Sequence, residues 1–239
     1  MNISRIAALA AAIGLSVSTA NVAQAAFVLT IDDLSTGLPG GTPDVIVSDG
    51  VGIGSATSIG NTTVSDSGIG ADGLIFFNGG VGNFTVNVVT GVSDPLLGPG
   101  QIDLNSINVT GGNGALRIKL TDTDYTGTVP AYTANYGGTT SGSVDFDFLH
   151  DSGNTEFGGT SFFDPALASG GAFSGSSSNA VNPGSPYSLT IEALISHTIG
   201  AGQISSFDAH LVPVPVPAAV WLFGSGLLGM VGIARRRRG

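Results

Sequence analysis

The sequence predicts an all-β fold: an antiparallel β-sandwich of jelly-roll or immunoglobulin-like type between an N-terminal signal helix and a C-terminal transmembrane helix. Three observations carry this reading. Apolar residues recur at every second position in several segments, the period of a strand with one buried face. The 239 residues include 38 glycines, and runs rich in Gly, Ser, Thr and Asn punctuate those segments as turns. Between the two ends no stretch shows the 3.6-residue period of an amphipathic helix.

Residues 1–25 read as a secretory signal peptide. Arg5 supplies the positive charge, Ile6 to Val17 the apolar run, and Ala23-Gln24-Ala25 the small-x-small site at which signal peptidase would cut after Ala25. Residues 26–212 form the body. Alternation marks strands around Phe84–Val88, Leu116–Thr121, Val144–Phe148 and Leu189–Ile195. Further strands are expected at Phe27–Ile31, Val45–Ser48, Leu74–Phe77, Ile102–Val109 and Ile204–Leu211, about nine in all. Asn78-Gly79-Gly80, Gly111-Gly112-Asn113-Gly114 and Asn135-Tyr136-Gly137-Gly138 read as turns. Ser48–Gly73 and Ser169–Pro186 read as long surface loops.

Residues 213–239 form a third unit. Pro213, Pro215 and Pro217 make an extended spacer. Ala218 to Ala234 then gives 17 uncharged residues, at the lower limit of a spanning helix. Trp221 stands at its start, and Arg235, Arg236, Arg237 and Arg238 follow at its end, where cations hold a terminus in the cytoplasm. The segment Val214-Pro-Val-Pro-Ala-Ala-Val-Trp-Leu-Phe-Gly-Ser-Gly-Leu-Leu-Gly229, closed by the four arginines, closely resembles the PEP-CTERM sorting domain. The name-giving Pro-Glu-Pro is here Pro215-Val216-Pro217. The resemblance implies an exosortase substrate of a Gram-negative bacterium that makes extracellular polysaccharide. It implies passage through the inner membrane, cleavage near the proline motif by an exosortase-like enzyme, and release or attachment at the cell surface. It implies no particular activity for the body.

The body holds all 17 acidic residues but only two cations, Arg117 and Lys119, a net charge of −15. Such a surface repels nucleic-acid phosphates, so no nucleic-acid partner is expected. The absence of Cys excludes disulfides, thiolate metal sites and a cysteine nucleophile. Gly68-x-Gly70-x-x-Gly73 matches a dinucleotide-binding spacing, but a strand-like segment follows it where a helix is needed. Gly79–Gly82 and Gly111–Gly114 resemble calcium β-roll openings, but Phe84 and Leu116 stand where the ligating Asp belongs. Asp122 and Asp124, before Gly127, are the candidate metal ligands, with calcium as the cation; the competing reading is a solvated Asp-rich turn. His150, His197 and His210 cannot be joined into a triad from sequence, and Asp145 and Asp147 share one strand, unlike a glycosidase pair.

The expectation is therefore a non-enzymatic cell-surface or biofilm-matrix protein. The alternative is a calcium-assisted carbohydrate-binding module, which an exposed cluster among Tyr125, Tyr132, Tyr136 and Tyr187 would favour. A polysaccharide-active enzyme comes third; it requires a cleft holding carboxylates from separate strands.

Overall fold

The structure, a computed structural model, describes residues 25–35, 43–50, 56–58, 71–182, 184–198 and 202–214, with 222, 223, 225–228 and 230. Among these residues the body is all-β and antiparallel. In chain order its strands are β1 (Val28–Asp33), β2 (Val45–Ser48), β3 (Ala56–Ser58), β4 (Leu74–Val81), β5 (Phe84–Val92), β6 (Ile102–Gly111), β7 (Gly114–Tyr125), β8 (Ala131–Asp151), β9 (Thr160–Phe163), β10 (Ala168–Ala180), β11 (Tyr187–His197) and β12 (Ile204–Pro213). They hydrogen-bond in the order β3-β2-β1-β7-β11-β8-β12-β6-β5-β4, and β9 and β10 also join β8.

This continuous sheet folds over on itself. β1 and β2 approach β4, and β6 approaches β11, although none of these pairs shares a hydrogen-bond ladder. The turning point is β8. Residues 131–140 pair with β12 and β10, and residues 143–151 pair with β11, so one strand serves both layers. Leu29, Ile31, Ile75, Phe77, Leu104, Ile118, Leu120, Phe148, Ile191 and Leu211 fill the space between the layers at 0% exposure. The alternation seen in the sequence is thus the inward row of each strand.

Glycines let β8 make that transition. A Cβ on Gly138 would lie 2.2 Å from the Ser206 carbonyl oxygen of β12, and one on Gly142 would lie 2.1 Å from the Ser196 carbonyl oxygen of β11. Gly142→Ala is expected to destabilise the body by about 1–3 kcal/mol, since a main-chain neighbour must move. Urea denaturation measures it, and an unchanged midpoint would disprove the tight approach.

Several expectations are corrected. Asn135–Gly138 is strand, because its glycines serve close packing and not a reversal. Gly79-Gly80 lies within β4 beside a register shift, and the hairpin turns at Gly82-Asn83, with Gly82 at φ 54°. The expected loop Ser169–Pro186 contains β10. Side chains there bond across the sheet, Ser176 Oγ to Asn135 Oδ1 at 2.6 Å and Ser178 Oγ with Thr133 Oγ1 at 2.7 Å, so no apolar alternation marks it. The expected loop Ser48–Gly73 contains β3, and residues 51–55 and 59–70 lie outside the described residues.

Of the signal peptide, 1–24 lie outside the described residues, including Ala23; Ala25 is exposed and precedes β1. Pro215, Val216, Pro217 and Arg235, Arg236, Arg237 and Arg238 also lie outside them. Leu222, Phe223, Ser225–Leu228 and Met230 are helical and exposed. Among the described residues no helix is long and apolar enough to cross a membrane; the remainder of the expected span 218–234 lies outside them.

Candidate functional site

The two cations of the body occupy alternate positions on the outer row of β7, opposite the inward row Leu116, Ile118 and Leu120. Register supplies each with a carboxylate. Arg117 stands opposite Asp32 of β1 and donates from Nη2 to its Oδ2 at 2.9 Å. Lys119 stands opposite Glu192 of β11, with Nζ 2.6 Å from Oε2. The pairs run from β7 in opposite directions, one to each neighbouring strand, and hold both cations in place.

Arg117, Asp32 and Lys119 lie in a groove of about 550 Å³ over the outer face of β1, β2 and β7. Val28 and Ile46 give it apolar surface, and Thr30 and Ser48 add hydroxyls from the same strands. Glu156 and Phe157 wall it from the loop between β8 and β9. The volume falls within the range of small-molecule sites, ~300–1,000 Å³. Its charged lining residues are Asp32, Asp49, Glu156, Arg117 and Lys119, a near balance on a body of net charge −15.

The loop wall is tied down by Asp124, in a role the sequence did not suggest. Asp124 N–H donates to Asn154 Oδ1 at 2.8 Å, and Asn154 Nδ2 returns a bond to Asp124 Oδ1 at 2.6 Å. Asp151 accepts from Gly153 N–H, Thr155 N–H and the Thr155 hydroxyl. Phe157 N–H donates to Thr121 Oγ1 at 3.3 Å, and Ser188 Oγ donates to the Thr155 carbonyl at 2.8 Å. Asp124→Ala is expected to free this loop at a cost of about 1 kcal/mol, local to residues 152–159. Hydrogen exchange should show lost protection there and little change in β7 or β11; uniform protection would count against the clasp.

Asp122 goes elsewhere, which corrects the reading of the pair as a solvated turn. It is 1% exposed, so no solvated turn exists at this position. Its carboxylate accepts from the Ser93 hydroxyl and from Thr123 N–H, and Ser93 Oγ also meets the Tyr125 hydroxyl. Burial, opposed by these hydrogen bonds, pushes its carboxyl up to about 6. Asp124 adopts φ 63° and bonds to the loop. Asp122 and Asp124 therefore serve different partners, and among the described residues no group of three His, Asp or Glu side chains could hold a metal ion.

The tyrosines form no exposed platform. Tyr125, Tyr132 and Tyr187 are buried, with the Tyr132 and Tyr187 hydroxyls 2.7 Å apart. Tyr136 is half-buried and packs on Phe146, Phe148, Phe163 and Phe173. The histidines do not converge either: His197 bonds to Gly111 and Ser205, His210 to Asn135, and His150 packs beside Phe162. The segment after Gly73 is strand β4, as its composition suggested.

A second hollow, about 190 Å³, is lined by Asp145 and Asp147 of β8, Glu192 of β11 and Asp164. It brings together carboxylates from separate strands. Burial raises the pKa values of Asp145 and Asp147, and Asp164 and Glu192 add repulsion. Its volume is below that of a ligand cleft, and Glu192 is already paired with Lys119.

No family model and no curated protein sequence matches this chain. Similar solved structures include carbohydrate-binding modules and the enzymatically active domain of a bacteriophage CBA120 tailspike protein, the latter 15% identical over 56% of this chain and 20% of its own, with a TM-score of 0.30. TmCBM61 in complex with β-1,4-galactotriose is 10% identical over 55% of this chain and 88% of its own, with a TM-score of 0.33. A CBM4 structure is 9% identical over 57% and 82%, with a TM-score of 0.31. A family 29 carbohydrate-binding module is 12% identical over 62% and 82%, with a TM-score of 0.28. Likenesses this distant do not bear on ligand or site.

Proposed function

We propose that this chain is an exported surface protein whose body, a β-sandwich, binds extracellular polysaccharide in the groove over β1, β2 and β7 without catalysing a reaction. The observation that carries the reading is the groove: apolar surface from Val28, Ile46 and Phe157 beside the register-held groups of Arg117, Asp32 and Lys119. A sugar chain presents C–H faces together with hydroxyls that both donate and accept. Apolar patches combined with a few immobilised polar groups suit that chemistry. Because the ion pairs fix those groups before binding, little ordering remains to oppose association. The near balance of charge favours a neutral glycan over a polyanion, which the rest of the body repels. In this reading the tail is the exosortase-type address that brings the body to the polysaccharide, with Pro215-Val216-Pro217 as its processing motif. This reading does not call on calcium; Asp122 and Asp124 hydrogen-bond to different partners, Ser93 and Asn154.

A glycan-binding screen of the secreted chain, with and without calcium, tests the proposal. Arg117→Ala and Lys119→Ala are each expected to weaken binding about tenfold, equivalent to about 1.4 kcal/mol. Failure to bind any neutral glycan, or binding indifferent to both substitutions, would overturn it.

A further inference from the structure

We propose that two copies of this chain pair edge to edge through β10, continuing the sheet across a two-fold axis. β10 bonds to β8 along one side, in uninterrupted register from Gly171 opposite Thr140 to Ala180 opposite Ala131. Among the described residues no strand pairs with its other side. A strand in this position exposes a row of unpaired N–H and C=O groups, and natural sheets protect such edges with charge, proline, bulges or shortness. β10 has none of these beyond Gly171. It contains neither a charged residue nor a proline, and the 27 residues Pro165 to Ile191 carry no charge at all.

The other edges are protected. β3 is three residues long and β9 four. β4 is broken by a register shift between Phe77 and Gly79 and lies beside β1 and β2. Carboxylates also hold the main chain at both its ends, Asp49 taking Gly73 N–H and Asp33 taking Asn83 N–H.

Charge identifies the partner as a second copy. Two bodies of net charge −15 repel wherever their acidic surfaces meet, and the β10 edge is where they can approach without opposing carboxylates. An antiparallel strand is also its own complement under a two-fold axis. In such a pair a residue opposes one of the same parity when the axis passes through a residue. The exposed row Ala172, Ser174, Ser176 and Ser178 then meets itself, as does the half-buried row with Phe173, so both faces of the sheet continue.

The chain has no Cys, which makes the test direct. Single substitutions Ala172→Cys, Ser174→Cys, Ser176→Cys and Ser178→Cys are placed in the full chain, in the membranes of producing cells and in detergent. After mild oxidation, covalent dimers are read on non-reducing gels. Directly opposed residues of an antiparallel pair have Cα atoms ~4.5–5.5 Å apart, within disulfide range. A maximum at one position, falling away on both sides, is expected. Thr85→Cys and Ser152→Cys, exposed elsewhere on the body, should give background only. With the axis at Ser176, positions 174 and 178 of the two copies oppose each other, so Ser174→Glu with Ser178→Glu, and Ser174→Lys with Ser178→Lys, should each lower the yield of the Ser176→Cys dimer several-fold by setting like charges face to face, and mixing the two should restore it. Circular dichroism confirms that each variant is folded. Cross-linking no greater than that of Thr85→Cys, equal yields at all β10 positions, adducts with another protein alone, or indifference to the paired Glu substitutions at 174 and 178 would each overturn the proposal.

Discussion

Replacing Asp122 with Asn is expected to remove a pH dependence of stability worth about 3 kcal/mol, and to make the protein more stable than its parent at pH 8. The side chain is 1% exposed, and its carboxyl is pushed from 3.8 up to about 6. A pKa raised in the folded state means that the native protein holds the proton more tightly than the unfolded chain does. The stability from this group is therefore fully present below pH 3.8 and is lost as pH rises through about 6. A shift of this size corresponds to about 3 kcal/mol at ~1.36 kcal/mol per unit. Asn keeps the shape and an acceptor for Thr123 N–H but carries no charge at any pH. The hydroxyls of Ser93 and Tyr125 can reorient to accept from its amide. Burial also raises the pKa values of Asp44, Asp103, Asp145 and Asp147, but these are common to both proteins and cancel in the difference. Urea midpoints of parent and variant should thus diverge from pH 4 to pH 8. A constant difference across that range would show that Asp122 does not carry a buried charge.

The same residue shows what was legible in the sequence. Leu116, Ile118 and Leu120 set the inward parity of β7, and Asp122 continues it. Parity alone therefore placed Asp122 in the interior, and it was the Asp-x-Asp spelling that suggested a turn. Asp124 would follow the same parity. The left-handed φ at Asp124 and the register shift opposite Tyr187–Leu189 turn it toward Asn154 instead, which no pattern of residue types reports. Strands with one face in the core were readable because burial imposes their alternation. β10 was not, because its long exposed run lacks an apolar row and its serines bond across the sheet. Arg117 and Lys119 were visible as an outward pair. Their carboxylates were not, because Asp32 lies 85 residues from Arg117 and only strand order brings them together.

Phe146→Ala is expected to cost about 3–5 kcal/mol, the usual range for deleting a buried aromatic ring. Phe146 projects from the second half of β8 and meets four rings: Tyr136 at 5.2 Å, Phe148 at 6.3 Å, Phe173 at 6.0 Å and Phe207 at 5.2 Å, the last edge-on at 87°. Tyr136 belongs to the first half of the same strand, Phe173 to β10 and Phe207 to β12. The ring thus joins both halves of the bent strand to the elements that each half recruits. Tyr136 meets as many rings, but it is half-buried, whereas Phe146 is 2% exposed. At ~2–4 °C per kcal/mol for a domain of this size, the melting temperature should fall by roughly 6–20 °C. The result also separates stability from recognition. Tyr136 is engaged with core rings, and the groove lies across the sheet at β1, β2 and β7. Below its melting transition the Phe146→Ala protein should bind glycan with unchanged affinity. Loss of binding by the fully folded variant, with stability intact, would place the recognition surface at this aromatic cluster and displace it from the groove.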